Sequence, residues 1–207
     1  MVVVVMGVSG SGKSTLAAAL AQALGARFVE GDDWHGPQNR AKMAAGEPLD
    51  DADRQGWLEA LAGRLAQAVQ RGENLVLACS ALRRRYRDIL RRGAPGLRLV
   101  WLDGPPVLIA QRLAARQGHY MPASLLDSQL ATLEPPGPGE NACRCDLRDA
   151  PGELLRQAGA FLQQPPDPPS QEPALTTFTK TILFTDTDGR ARFREEPLAL
   201  DEGTPQS

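Results

Sequence analysis

The sequence predicts an α/β fold, a central parallel sheet flanked by helices in three layers, and three observations predict it. The chain opens on Val2-Val3-Val4-Val5, β-branched throughout and apolar on both faces, as a strand in the middle of a parallel sheet must be. A glycine-rich loop joins that strand directly to a helical pattern. Strand and helix patterns then alternate through residue 163, which implies right-handed crossovers with helices on both faces of the sheet.

The elements follow in order. Residues 14–24 (STLAAALAQAL) read as a helix closed by Gly25, and 27–30 as a second strand ending in Gly31-Asp32-Asp33. Asp50 caps a helix that runs to about residue 70, with Trp57, Leu58, Leu61, Leu65 and Val69 as its apolar stripe. Further strands are expected at 74–79 and 97–102, with a weaker one near 142–147. Helices are expected at 81–92, 105–117, 122–134 and 151–163.

These elements make one domain over residues 1–163. Residues 164–175 hold five prolines and read as an extended linker. The last segment, 176–207, reads as two strands around the turn Asp186-Thr187-Asp188-Gly189. A lone hairpin is marginal in water, so this tail is expected either to dock elsewhere or to belong to something larger, such as the remnant of a fused domain.

Composition narrows the function. The chain has 207 residues, 42% hydrophobic, enough for a real core. Its 23 Lys+Arg against 25 Asp+Glu leave a net charge of −2, without the basic surplus a nucleic-acid binder uses to displace counterions. The three cysteines, 79, 143 and 145, include no C-x-x-C pair and read as free thiols of a cytoplasmic protein. The apolar start is expected to be a strand, neither a secretory leader nor a membrane span.

The chemistry starts in the glycine-rich loop. Gly7-Val8-Ser9-Gly10-Ser11-Gly12-Lys13-Ser14 fits G-x-x-x-x-G-K-[ST] in full, between a strand and a helix, with Thr15 continuing the segment. Its glycines let backbone N–H groups turn onto the phosphates of ATP, and the helix N-terminus adds its dipole. Lys13 can reach the β- and γ-phosphates, and the Ser14 hydroxyl can ligate Mg²⁺. No N-K-x-D guanine motif and no L-S-G-G-Q motif occurs, which counts against a GTPase switch and a transporter ATPase. For so small a domain a small-molecule kinase is the economical reading, with a nucleotide-binding protein without turnover as the rival.

In a parallel sheet the acceptor binds beyond the carboxyl ends of the strands, where Asp32 and Asp33 follow the second strand. Asp32 can take a hydroxyl proton or help to hold Mg²⁺. Asp103 competes for that role, but Gly104-Pro105-Pro106 behind it favours a cap for the next helix. Asp50, Asp51 and Asp53 read as an acidic helix start. His35 and His119 read on their own as hydrogen-bonding residues, and the Cys143-x-Cys145 pair as strand packing. The arginines at 83–85, 87, 91 and 92 decorate one helix, mostly solvated, with one or two facing an anionic substrate. Arg112 and Arg116, four apart before Gly118, suit a lid that swings over the phosphates.

Together these segments resemble the small P-loop gluconokinases. The likeness rests on MGVSGSGKST at 6–15, EGDDWH at 30–35, N-x-x-KM-x-x-G-x-PL at 39–49 and D-x-DR-x-x-WL at 51–58. It continues through ACSALRRRYRDILR at 78–91, R-x-x-x-R-x-GHYMP at 112–122, LL-x-SQ-x-x-TLE-P at 125–135 and ENA at 140–142. The resemblance implies a P-loop kinase fold of the nucleoside-monophosphate-kinase and shikimate-kinase type, a homodimer, and transfer from Mg-ATP to D-gluconate giving 6-phospho-D-gluconate. By motif position Asp32 becomes general base or Mg²⁺ organiser. His35, Lys42, Arg54, Ser80, Arg87 and His119 become candidates for holding gluconate, and Arg112 and Arg116 fall in the lid. The resemblance ends near residue 163 and leaves the tail unmatched.

Overall fold

The computed structural model describes residues 1–115, 123–165, 177–185 and 191–199. Its main sheet has five parallel strands: β1 (Val2–Met6), β2 (Arg27–Glu30), β3 (Leu75–Ala78), β4 (Arg98–Asp103) and β5 (Ala142–Asp146), in the order β2-β3-β1-β4-β5. β1 is central, with Val4 beside Leu77 on one flank and Leu99 on the other. Side chains alternate across a strand. Val2, Val4 and Met6 therefore face the core under α3 (Asp51–Gln70) and α4 (Arg84–Gly93). Val3 and Val5 face the one under α1 (Lys13–Ala23) and α7 (Pro151–Gln163). Two opposite cores explain why the strand has no polar face.

The α3 helix starts on a reciprocal cap: Asp50 accepts from the Asp53 N–H at 2.8 Å, and Asp53 accepts from the Asp50 N–H at 3.0 Å. Asp50→Ala is expected to cost about 1 kcal/mol of stability, read as a lower urea midpoint. The expected stripe holds through Leu65 but then turns to Ala68, and Val69 is 49% exposed. At about 100° per residue, Val69 lies some 120° around the helix from Trp57, whereas Ala68 returns to within about 20°.

The expected helix over 81–92 starts later, at Arg84, because Ala81 adopts φ 43 and Arg83 is extended. The helices expected at 105–117 and 122–134 are α5 (Pro106–Ala114) and α6 (Ala123–Thr132). One helix was not foreseen: α2 (Pro37–Ala44) buries no residue, so it writes no apolar stripe into the sequence. Asp103 does not cap α5, which starts on Pro105 without a side-chain cap; Asp103 instead accepts from Arg144 Nε at 2.7 Å on the neighbouring strand. Cys143 and Cys145 pack into the core under α1 and α7.

The chain divides into two compact units, Met1–Pro168 and Pro169–Ser207. In the second, β6 (Thr177–Thr185) pairs antiparallel with β7 (Ala191–Ala199). The expected turn at 186–189 lies outside the described residues. Among the described residues no helix is long and apolar enough to cross a membrane.

Candidate active site

The phosphate loop leaves β1 and enters α1 with three glycines at positive φ: Gly7 at 146°, Gly10 at 80° and Gly12 at 90°. At Gly7 an added Cβ would lie 2.7 Å from the Leu102 carbonyl, so the tight exit from the sheet has no room for a side chain. α1 starts on Gly12 without a side-chain cap or an acidic residue in its first turn, which leaves its N–H groups to an anion. Among the described residues Ser11 Oγ, which is buried, has no hydrogen-bond partner. Lys13 Nζ donates to the Val8 carbonyl at 3.0 Å, folded back over the loop. Ser14 stands in the first turn of α1, and Thr15 on the same turn is exposed.

A cavity of about 780 Å³ opens beside this loop. Ser9 and Lys13 line it from the phosphate side, and Asp32 and Asp33 from a 3-10 turn (Gly31–Trp34) at the end of β2. Ser80 enters from the end of β3, Arg54 from α3, Arg83 from the residue before α4, and Tyr86 from α4. The carboxyl ends of β1, β2 and β3 thus meet at one place, where a parallel sheet presents its ligands. Cys79, fully buried there, feels Asp32, Lys13 and Arg54 together; burial first, then Asp32, pushes its thiol up to about 12, so it stays protonated.

His35 lines the cavity while stacked on Trp57 at 4.1 Å between ring centroids. Trp57 Nε1 donates to the Gly31 carbonyl at 2.8 Å, so ring and turn are held as a unit. Burial lowers the His35 pKa; Asp32 opposes that, and Arg54 and Arg40 add to it. His35 is therefore neutral at pH 7, a buried group that can accept or donate a hydrogen bond and not a cation.

Three sequence candidates are placed elsewhere. Arg87 is wholly buried behind the cavity wall, paired through Nε and Nη2 with Glu140 at 2.6 and 2.9 Å. Its Nη1 donates to the carbonyls of Ala81, Leu82 and Glu134 at 3.2, 3.3 and 3.0 Å, so it holds the turn after Ser80 and does not face a ligand. Lys42 pairs with Asp53 at 2.7 Å, off the cavity. Arg112 donates to the Leu147 carbonyl at 2.9 Å. Arg116 and His119 lie outside the described residues.

Other lining residues were not singled out. α2 brings Arg40, and α6 brings Ser128, Gln129 and Thr132. Asp51, read as part of an acidic helix start, reaches across to α4, where it accepts from the Tyr86 hydroxyl and pairs with Arg83 and Arg85. The i, i+1 and i+4 spacing on α6 was visible, but only the packing shows which face meets the loop.

A family model described as an AAA domain matches residues 2–136. The chain is 48% identical to a gluconokinase of Gluconobacter oxydans over 154 residues, covering 74% of this chain and 86% of that one. It is 47% identical to the thermoresistant gluconokinase of Escherichia coli over 138 residues, covering 66% and 78%. The crystal structure of a gluconokinase from Sinorhizobium meliloti superposes with a TM-score of 0.72 at 48% identity, covering 77% of this chain and 90% of that one. With that identity over most of both chains, the chain belongs to the gluconokinase family.

Proposed function

We propose that this chain transfers the γ-phosphoryl group of ATP to D-gluconate, giving ADP and 6-phospho-D-gluconate. The observation that carries this reading is the single cavity in which Lys13 and Asp32 share walls with Arg54, Arg83, Ser80 and neutral His35. Gluconate presents one carboxylate and a row of hydroxyls. The two arginines suit the carboxylate, and Ser80, His35 and Tyr86 suit the hydroxyls.

Asp32 accepts the proton of the attacking hydroxyl. Lys13 moves its ammonium from the Val8 carbonyl to the charge on the transferred group. The Ser14 hydroxyl and Asp32 would hold Mg²⁺, which would supply positive charge against that of the phosphates. The donor set fits that ion: a hydroxyl and a carboxylate are hard oxygen ligands, and Mg²⁺ in phosphate sites takes only one or two such ligands from the protein. We place the enzyme in the cytoplasm, in keeping with its free cysteines 79, 143 and 145, and assign it a homodimer on the family resemblance.

The test is ADP release from Mg-ATP with gluconate, shikimate, glucose and glycerate in parallel. Release with gluconate alone is expected; release with a different acid alone would overturn the substrate assignment. Asp32→Asn is expected to lower kcat by about 100-fold or more, with the gluconate KM changing far less.

A further inference from the structure

The α6 segment matches the family motif but has been given no task, and it makes one direct contact with the phosphate loop. Gln129 Oε1 accepts from the Ser9 N–H at 2.6 Å, across 120 residues of sequence. Leu125 and Leu126, both buried, seat the helix that brings it there.

This contact fixes the orientation of the amide. A backbone N–H can be accepted only by the oxygen, so Nε2 must point the other way. No described residue accepts from that NH₂ group, and Gln129 lines the same cavity as Lys13 and Asp32. The phosphate loop thus holds a neutral double donor on the wall of the cavity that Lys13 and Asp32 also line.

We propose that Gln129 is a phosphoryl-contacting residue, its Nε2 donating to a γ-phosphate oxygen while its Oε1 stays on Ser9. This rests on the reading of the loop as an ATP site, and is independent of which acceptor is used. The β-phosphate lies on the N–H groups of the loop and the start of α1, so the amide distinguishes ATP from ADP. A donor that keeps its place as charge shifts through the γ-phosphoryl group also assists transfer.

Gln129→Glu tests this, because a carboxylate still accepts from Ser9 but presents an acceptor and a charge where a donor stood. Binding of Mg-ATP and of Mg-ADP is measured by calorimetry without acceptor. The expected result is an ATP affinity at least about tenfold weaker, the scale of a lost hydrogen bond to a charged group, with ADP affinity within about twofold of the parent. Equal losses for the two nucleotides would reduce Gln129 to a prop for the loop and overturn the proposal, as would no loss. Gln129→Met, similar in size without donor or acceptor, must also lose the preference for ATP. Melting temperatures near that of the parent establish that both variants fold. Failure on gluconate with an intact ATP preference would sink the substrate assignment alone.

Discussion

Lys13→Ala is expected to reduce turnover by roughly a thousandfold or more while leaving the melting temperature within a few degrees of the parent. The catalytic part follows from the chemistry of phosphoryl transfer, which leaves the protein little to do beyond positioning and charge stabilisation. Removing one preorganised donor from such a site typically costs about 10² to 10³ in kcat, and Lys13 supplies a full charge as well. The stability part follows from where the side chain sits. Lys13 is only partly buried, at the first residue of α1, and its Nζ donates at 3.0 Å to the Val8 carbonyl of the same loop. Alanine is also a good helix former. Steady-state ADP release and a thermal melt on the same sample separate the two. Turnover near that of the parent would remove Lys13 from the phosphate role.

Arg87→Ala is expected to cost about 3 kcal/mol of stability, the largest structural effect among these predictions, because it takes from a buried carboxylate its bidentate partner. Arg87 is wholly buried and Glu140 nearly so, and the carboxylate also accepts from the Gly137 N–H at 2.8 Å and from Arg91 at 3.1 Å. Burial alone would raise the Glu140 pKa, but the bonds from Arg87, Gly137 and Arg91 outweigh it and hold the carboxyl down at about 2. A carboxyl depressed in the folded state stabilises the fold above its unfolded value near 4.5, and that contribution is lost as pH falls toward 2. The urea midpoint of the parent should therefore drop over that acid range more steeply than that of Glu140→Gln, which has no such carboxyl to protonate. Parallel acid profiles would show that Glu140 does not carry the dependence.

The same knot explains a misreading. Arg87 stands in the motif ACSALRRRYRDILR, among arginines that all look available to an anion. What sets it apart is Glu140, 53 residues away, two carbonyls that the turn at Ala81 directs at its guanidinium, and the carbonyl of Glu134. Burying an arginine is tolerable only where its donors are all met, and those partners come from two loops. Without Arg87 the turn that delivers Ser80 and Arg83 to the cavity would lose its hold. A residue of the motif thus acts on the site by positioning others.

By itself the sequence determined the order of strands and helices, the phosphate loop between β1 and α1, and the placement of Asp32 after β2. Each is a local matter: apolar period, turn glycines and capping chemistry act within a few residues of one another. It also carried the family, since long motif runs need no coordinates to be read. Only the tertiary structure decided which arginines face the cavity, that His35 is neutral against Trp57, that Lys42 is occupied by Asp53, and that Gln129 meets Ser9. The physical reason is common to all four. Burial, charge pairing and hydrogen-bond satisfaction depend on groups brought together from different elements, and a periodic pattern along one element carries no record of the partner it will meet.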